Sequence, residues 1–434
     1  MKRLLAILCL LVLIVSIPIA CKKSSGDSAP VPPPGDIVVP PGPGPNPATV
    51  PINFTTPQQA AGSTAAIDGM QATSSAQFAA IMDLGVNSRP PGFAPALSRS
   101  TGAISKVDPT LAMMVSEMQR LAASPTVQKA VQKVRALKAA SLATPVDTTL
   151  TLEFCSNDDG QVKIAGLNNF DEVGNPTLTS DYTIDFTNCK DDIFLTRLGG
   201  TLHIEDASST DNAGVKTSLL ATNLTMEQFT TVAYDVMAKK SVLNGPFIRN
   251  DQVNFIDDEA SGSFVVTTPA GALPEKVVTY AYTGLHVETT HTDNPNGTDS
   301  IAATTKGTFK LTTTTGGVKT FDLNFAMDLA EQRIQLNDAA GTETSQLSGA
   351  IDITYASELE ALGCQTGKVV ITTTTPREFT TAGGACPHKG TVNLNNATIN
   401  YDPGQPIRVT IGGGTPQSFA DCAALDAAGG SCKF

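Results

Sequence analysis

Tryptophan is absent from this chain of 434 residues, and histidine occurs only four times. So few imidazoles leave few candidates for a general base. The catalytic signatures G-x-S-x-G, H-E-x-x-H and G-x-x-x-x-G-K-S/T are also missing from the sequence. We therefore predict no catalytic residue and no cofactor. A protein without enzymatic activity is the favoured expectation, and a hydrolase acting through Asp/Glu pairs is the alternative.

Charged residues make up only 16% of the chain, and their signs are unevenly distributed. Residues 1–146 carry a net charge of +6, and residues 147–434 carry a net charge of −18. Nucleic-acid binding depends on basic groups that neutralise phosphates, so this acidic main segment disfavours a nucleic-acid partner. Threonine and glycine are abundant where Glu and Lys would dominate a helical protein, and this composition favours strands.

The first residues combine a basic start, an apolar run and a small residue before a cysteine. Lys2 and Arg3 precede the apolar-rich residues 4–19, and Ala20 precedes Cys21. This pattern resembles the signal of bacterial lipoproteins. The resemblance covers the signal only. A retained membrane span is the alternative, but the run is shorter than the roughly 20 apolar residues that cross a bilayer.

The resemblance implies an address in the bacterial cell envelope. Residues 1–20 would be a signal peptide, and the chain would be cut before Cys21. Acyl groups on Cys21 would then anchor the protein to a membrane, for which we favour the outer membrane, on its periplasmic or surface face.

A proline-rich linker follows the predicted anchor. Nine of the twenty-two residues from 29 to 50 are proline, a composition that favours extended polyproline conformations and cannot bury a core. We assign residues 21–55 to the anchor and a spacer, which at about 3.1 Å per residue can hold the body up to about 90 Å from the membrane. Removal of residues 22–55 is therefore expected to leave thermal stability unchanged.

Residues 56–146 predict short helices that end in a hairpin. Asp108 and Ser124 each precede a proline, which is typical of an N-cap followed by the first helical residue. The second helix has a basic face, which we expect to meet solvent or the acidic strands rather than a membrane surface. Apolar residues recur at helical spacing on one face of each helix. They are Val115, Met118 and Leu121 in the first helix, and Val127, Val131 and Val134 in the second.

From Thr148 onward the hydrophobic period changes to two. Tyr182, Ile184 and Phe186 alternate with polar residues, so one face of this segment is apolar and the other is polar. We therefore predict a mainly β fold, with the short helical segment preceding a β domain over residues 147–434. The domain is expected to be a large antiparallel meander sheet or a sandwich.

A five-residue phrase recurs along these strands. It consists of a glycine, a small residue, an apolar residue, a variable residue and a second apolar residue. The later spacings of about 42 residues leave room for three or four strands each. The phrase predicts equivalent strands of one meander, and chance recurrence in a Thr/Gly-rich β protein is the alternative. It begins at Gly200, Gly262, Gly307, Gly349 and Gly390.

Six cysteines remain after removal of Cys9 with the signal and acylation of Cys21. An even number suits an oxidising compartment, and no C-x-x-C motif indicates a zinc site. Fifteen connectivities are possible. Because the cysteines fall into three separated groups, we predict pairing between neighbours. The expected bridges are Cys155 with Cys189, Cys364 with Cys386, and Cys422 with Cys432.

The strongest cluster of potential metal ligands is His286, Glu288 and His291, the first two of which share a face if they lie on a strand. We interpret these three as exposed strand residues and predict no metal site. Acidic turns that could present oxygens to calcium are a weaker candidate, because Asp and Asn favour turns for local hydrogen-bonding reasons. These turns contain Asp158 and Asp159; Asp191 and Asp192; Asp257, Asp258 and Glu259; and Asp293, Asn296 and Asp299.

The sequence thus predicts a lipid-anchored exported protein whose β domain is a binding or structural module. We expect it to reach the membrane through its anchor and to meet an envelope protein or a glycan across its sheet and loops. A carrier that encloses an apolar ligand in a curved sheet is the second hypothesis. A secreted hydrolase is the third.

Overall fold

The computed structural model describes most of the body of the chain. All of the described residues belong to one compact unit, which spans Ile37–Phe434. The predicted signal peptide, Cys21, the proline-rich residues up to 49, Asp108, Asn296 and Cys432 lie outside the described residues. The described ranges are 50–64, 67, 109–140, 145–150, 154–168, 179–208, 215–252, 254–293, 298–336, 342–355, 360, 364–380 and 386–430.

The protein is mainly β, and its strands form one antiparallel meander sheet, which confirms the predicted fold class. Sixteen strands are hydrogen-bonded strictly in the order in which they occur in the chain. They are β1 (Pro145–Leu150), β2 (Gln161–Asn168), β3 (Thr179–Asp191), β4 (Thr196–Ser208), β5 (Val215–Phe229), β6 (Met237–Gln252), β7 (Phe255–Thr268), β8 (Lys276–Asp293), β9 (Thr298–Thr315), β10 (Val318–Leu336), β11 (Glu343–Tyr355), β12 (Gly367–Phe379), β13 (Lys389–Leu394), β14 (Ala397–Tyr401), β15 (Ile407–Ile411) and β16 (Gln417–Phe419).

One face of the sheet carries the core, and the other face is largely polar. Tyr182, Ile184 and Phe186 are buried on β3, whereas Thr183 and Asp185 between them are only partly buried. The period of two therefore sets the inner and outer faces, because successive side chains of a strand point to opposite sides of the sheet.

Two helices cover part of the inner face. They are α1 (Pro109–Ala122) and α2 (Pro125–Ala140), and both begin at the prolines that the capping signature indicates. The predicted apolar stripes of both helices are buried in the same hydrophobic core as the strand residues, apart from Val115, which is buried elsewhere. None of the helices in the described residues has the length and apolarity needed to cross a membrane.

A buried carboxylate attaches α1 to the sheet. Glu117 is 2% exposed, and its two oxygens accept hydrogen bonds from the Lys239 ammonium at 2.7 Å and from the Gln228 amide at 2.6 Å. Arg120 donates to the same glutamine at 2.7 Å. Because a buried carboxylate is costly unless it is paired, these bonds fix the position of α1 on β5 and β6.

The glycines of the recurring phrase share one backbone conformation. All five have φ between 92° and 158° and lie on β4, β7, β9, β11 and β13. At Gly262 an added Cβ would lie 2.1 Å from the carbonyl oxygen of Asn244 on the neighbouring strand. Only glycine tolerates this φ and this close approach. The phrase therefore marks equivalent points of the meander.

Irregular pairing crosses the sheet near these glycines. The register shifts between Gly199 and Thr201 on β4, between Ala260 and Gly262 on β7, and between Thr283 and His286 on β8. Bulges of this kind bend strands and increase their twist. The long strands therefore bend near the same level, where glycine permits it.

The segment predicted as the end of the linker belongs to the folded body. The Ile52 amide donates to the Lys368 carbonyl oxygen at 2.9 Å, and the Lys368 amide donates to the Val50 carbonyl oxygen at 3.0 Å. Ile52 and Phe54 are 5% and 2% exposed and lie in the core. The assignment of residues 50–55 to the spacer was therefore wrong. It followed from proline content, whereas the apolar side chains at the alternating positions 52 and 54 are buried by the sheet.

Two asparagines hold this N-terminal segment. The Asn395 side-chain amide donates to the Ile52 carbonyl oxygen at 2.7 Å and to the Lys368 carbonyl oxygen at 2.8 Å. Asn396 forms a reciprocal pair with the backbone of Phe54, at 2.9 and 2.8 Å. Both asparagines lie in the turn between β13 and β14, so residues 52–54 depend on contacts more than 300 positions away in the chain.

Disulfides are present, and the first predicted pairing is correct. Cys155 is bonded to Cys189. The other two predicted pairings are wrong, because Cys386 is bonded to Cys422. Cys364 is also disulfide-bonded.

The topology explains both observed bridges. In an antiparallel meander, an even number of strands returns the chain to the same end of the sheet. Two strands, β2 and β3, bring Cys189 back beside Cys155. Four strands, β13 to β16, bring the short helix α3 (Cys422–Ala428) back beside the connection that contains Cys386. Closeness in sequence was therefore the wrong criterion for the C-terminal cysteines.

Candidate functional site

The strongest cluster of potential ligand atoms lies on the outer face of β7 and β8. His286 and Glu288 alternate on β8 and share a face, as predicted, and Asp257 lies directly opposite Glu288 on β7. His286 Nε2 is 2.6 Å from Asp257 Oδ1 and 3.9 Å from Glu288 Oε1. Within the described chain, these three residues form the one group of metal-ligating side chains whose ligand atoms all lie within 4.8 Å of one another.

His291 does not join this cluster. It lies five positions after His286 on the same strand, and an odd separation on a strand places two side chains on opposite faces. A bend after Glu288 would be needed to bring the two histidines together, and β8 instead continues to Asp293. Asp257, which the sequence analysis placed in an acidic turn, takes the third position instead.

Electrostatics at this cluster favour a charged imidazole. The hydrogen bond that His286 donates to Asp257 raises the pKa of His286, partial burial opposes this shift, and the charges of Asp257, Glu288 and Glu259 add to it. Thr304 on β9 donates to Glu288 at 3.1 Å and orients that carboxylate.

This geometry is that of an ion pair. A neutral imidazole and two carboxylates are ligands that Zn²⁺ accepts. Here, however, two of the ligand atoms are joined directly by a 2.6 Å hydrogen bond, so a protonated His286 neutralises Asp257. About a third of the His286 side chain is exposed, and the pair lies on an open sheet face.

We expect Asp257→Asn to lower the pKa of His286, which NMR titration of the imidazole would measure. Because the pKa of His286 is raised on folding, the pair stabilises the fold below the ordinary histidine value of 6.5. This contribution is lost as pH rises through the folded-state pKa. For so exposed a pair the loss is at most about 1 kcal/mol. An unchanged titration in Asp257→Asn would contradict the pairing.

A second charged pair is buried on the inner face. Arg249 on β6 and Asp258 on β7 form two parallel hydrogen bonds, each 2.7 Å long, and their side chains are 3% and 6% exposed. The sequence analysis interpreted residues 257–259 as an acidic turn, which is wrong because they lie within β7. Alternation with the buried Ile256 and Ala260 is the signal that places Asp258 inside.

A larger buried network joins β10, β11 and β12. The Glu331 carboxylate accepts from Ser345 at 2.6 Å, from Arg333 at 3.1 Å and from Arg377 at 3.3 Å. Glu343 lies 3.7 Å from the Arg333 guanidinium. Two arginines thus balance two glutamates, and all five side chains are at most 10% exposed. Sequence reasoning missed this network, although Glu331 and Arg333 alternate with exposed residues on β10.

The remaining acidic pairs stabilise turns. Asp159 accepts from Asn157 and Asn188, and these amide bonds, that of Asn157 above all, lower its pKa. Asp191 accepts from the two backbone amides that follow it in the turn to β4. Asp192 accepts from the hydroxyl of Tyr234 in the next turn along the same end of the sheet, at 2.9 Å. These carboxylates are used locally, as is common for Asp in turns.

A shallow groove of about 320 Å³ lies on the outer face of β10, β11 and β12. Small residues such as Ala326 and Ala350 form its floor, and Asp328, Asp352 and Lys368 are its charged groups. Desolvation raises the pKa of Asp352, and the charge of Lys368 opposes this shift. The groove offers a polar contact surface and no nucleophile paired with a base.

No family model, curated protein or solved structure matches this chain.

Proposed function

We propose that this protein is a lipid-anchored component of the bacterial cell envelope whose β domain is a non-catalytic binding or structural module. The predicted acylation of Cys21 supports the anchor. The partner would be an envelope protein or a glycan that meets the outer face and loops of the sheet.

The binding role is supported by the contrast between the two faces of the sheet. The inner face packs against α1, α2, residues 52–64 and Ile67 in one core that is filled by the chain's own side chains. The outer face of the long central strands, by contrast, presents polar groups such as Asp257, His286 and Asp328 over a broad surface. A broad polar face of this kind is suited to a macromolecular partner.

The same arrangement weighs against the alternatives. A carrier needs an enclosed apolar cavity, whereas side chains of α1 and α2 fill part of the described inner face. A hydrolase needs carboxylates available to a substrate, whereas two of the buried ones, Asp258 and Glu331, are each paired with arginine, and Glu117 is paired with Lys239. Arginine pairing holds such carboxylates in place, which suits stability rather than proton transfer.

The anchor is tested by Cys21→Ser. We expect wild-type protein in the membrane fraction, and we expect the variant to be released from it, because the acyl chains attach through the thiol of Cys21. A Ser24→Ala variant, altered three residues further on, is the matched control and should remain bound. Mass spectrometry of the mature N-terminus gives an independent readout. Normal processing and membrane retention of Cys21→Ser would contradict the anchor, and cross-linking of the tethered wild type to its neighbours would test the binding role.

A further inference from the structure

Exposed large apolar side chains concentrate in the turns at one end of the sheet. The turns between β3 and β4, β5 and β6, β7 and β8, and β9 and β10 all lie at this end, because each follows an odd-numbered strand of the meander. We call this set the apolar rim. Its members are Ile193 (86% exposed), Phe194 (57%), Val232 (71%), Val236 (53%), Leu273 (78%) and Val318 (67%).

Hydrogen bonds join the four turns of the rim into two pairs of neighbours. Tyr234 donates to Asp192 at 2.9 Å, which joins the first turn to the second. The Gly316 amide donates to the Glu275 carbonyl oxygen at 2.8 Å, which joins the third turn to the fourth. Side chains that project from hydrogen-bonded turns are held at fixed positions, so the apolar groups form an organised edge.

The linker joins the body at the same end. Val50 is hydrogen-bonded to Lys368 near the start of β12, which follows an odd-numbered strand, and Val50 is itself 79% exposed. The chain that leads back to Cys21 therefore starts from the rim end. The stalk is long enough to allow many orientations, so the rim has to supply any preference for one of them.

The two ends of the sheet also differ in charge. At the rim, lysines lie beside acidic residues: Lys190 adjoins Asp191, and Lys276 follows Glu275. At the opposite end, the described strand termini carry Asp206, Asp251 and Asp293. Bacterial membrane surfaces carry anionic lipids, so they repel the acidic end and not the balanced rim.

We propose that the apolar rim docks on the surface of the lipid bilayer to which the protein is tethered, with Phe194 and Leu273 inserted at the headgroup level. This inference rests on the proposed lipid anchor. The tether supplies a high local concentration of membrane, so the modest apolar area of the six side chains suffices to bias orientation. The acidic end then points away from the lipid, and the outer face of the sheet, which runs along the strands, stays exposed to a partner.

The absence of native tryptophan gives a direct test. Phe194→Trp and Leu273→Trp each place a single indole on the rim of the full-length acylated protein. Ile334→Trp is the matched control, because Ile334 is also an exposed apolar residue, at 36%, and lies at the opposite end of β10. Each variant is reconstituted into phosphatidylcholine vesicles with and without brominated acyl chains.

Docking predicts a blue shift and bromolipid quenching of the indole at positions 194 and 273, and neither effect at position 334. Adding Phe194→Ser to Leu273→Trp should lower the equilibrium constant for docking about tenfold or more, seen as loss of quenching. Unquenched indoles at both rim positions of a vesicle-bound, acylated protein would overturn the proposal while leaving the anchor intact. Equal quenching at position 334, or a blue shift without vesicles that indicates self-association, would overturn it too. Absence of acyl groups at Cys21 would instead contradict the proposed function.

Discussion

Asp258→Ala is expected to lower the free energy of unfolding by about 3–5 kcal/mol. The substitution leaves the Arg249 guanidinium buried at 3% exposure without the carboxylate that satisfies two of its donors. Removal of one member of a buried charge pair is far more costly than removal of both charges together. Equilibrium unfolding in guanidinium chloride measures the effect.

The control is a double variant, Arg249→Met with Asp258→Leu. It removes both charges and keeps apolar volume on the inner face, so its stability should return to the wild-type value or exceed it. An exposed pair gives a second comparison: Asp147→Ala, which removes the partner of Lys163, should cost less than about 1 kcal/mol. A double variant as unstable as Asp258→Ala would show that the pair does more than neutralise buried charge.

Removal of residues 22–55 is expected to destabilise the body by at least about 5 kcal/mol, which reverses the expectation from proline content. The deletion removes Ile52 and Phe54 from the core, and large-to-small changes at such sites each cost about 2–5 kcal/mol. It also removes the backbone partners of the Asn396 side chain and one backbone partner of the Asn395 side chain. Calorimetry on protein produced in an oxidising compartment reports the change as a fall in transition temperature.

The matched deletion removes residues 22–49 only and keeps every contact of the N-terminal segment with β12. Its transition temperature should equal that of the intact body. Phe54→Ala, in an otherwise complete chain, should account for about 3–5 kcal/mol of the loss. If the two deletion variants have equal transition temperatures, the packing of residues 50–55 does not contribute to the stability of the fold.

Much of the fold follows from local pattern. The alternation at Tyr182, Ile184 and Phe186 predicts a strand with one buried face, and Ser124 followed by proline predicts where α2 begins. Both signals depend on steric rules that operate within a few residues, so they are readable without knowledge of the rest of the chain. The glycine phrase is of the same kind, because a residue with positive φ needs glycine wherever it lies.

The outer cluster shows where local pattern stops being sufficient. His286 and Glu288 share a face because they are two residues apart, and this was predictable. Their partner Asp257 lies opposite Glu288 only because β7 and β8 pair in one register, and register depends on turns and on packing across the whole sheet. His291 is close to them in sequence, but strand alternation places it on the other face.

Sequence pattern was therefore enough to establish a mainly β body, its two buried-face helices and the presence of disulfides. It could not pair Cys386 with Cys422, bury Asp258 against Arg249, or place Ile52 and Phe54 in the core. Each of these depends on which distant segments the meander returns to the same place. Two residues form such a contact when the number of strands between them returns the chain to the same end of the sheet and when both lie on its inner face. Neither condition can be read from the few residues on either side of each one.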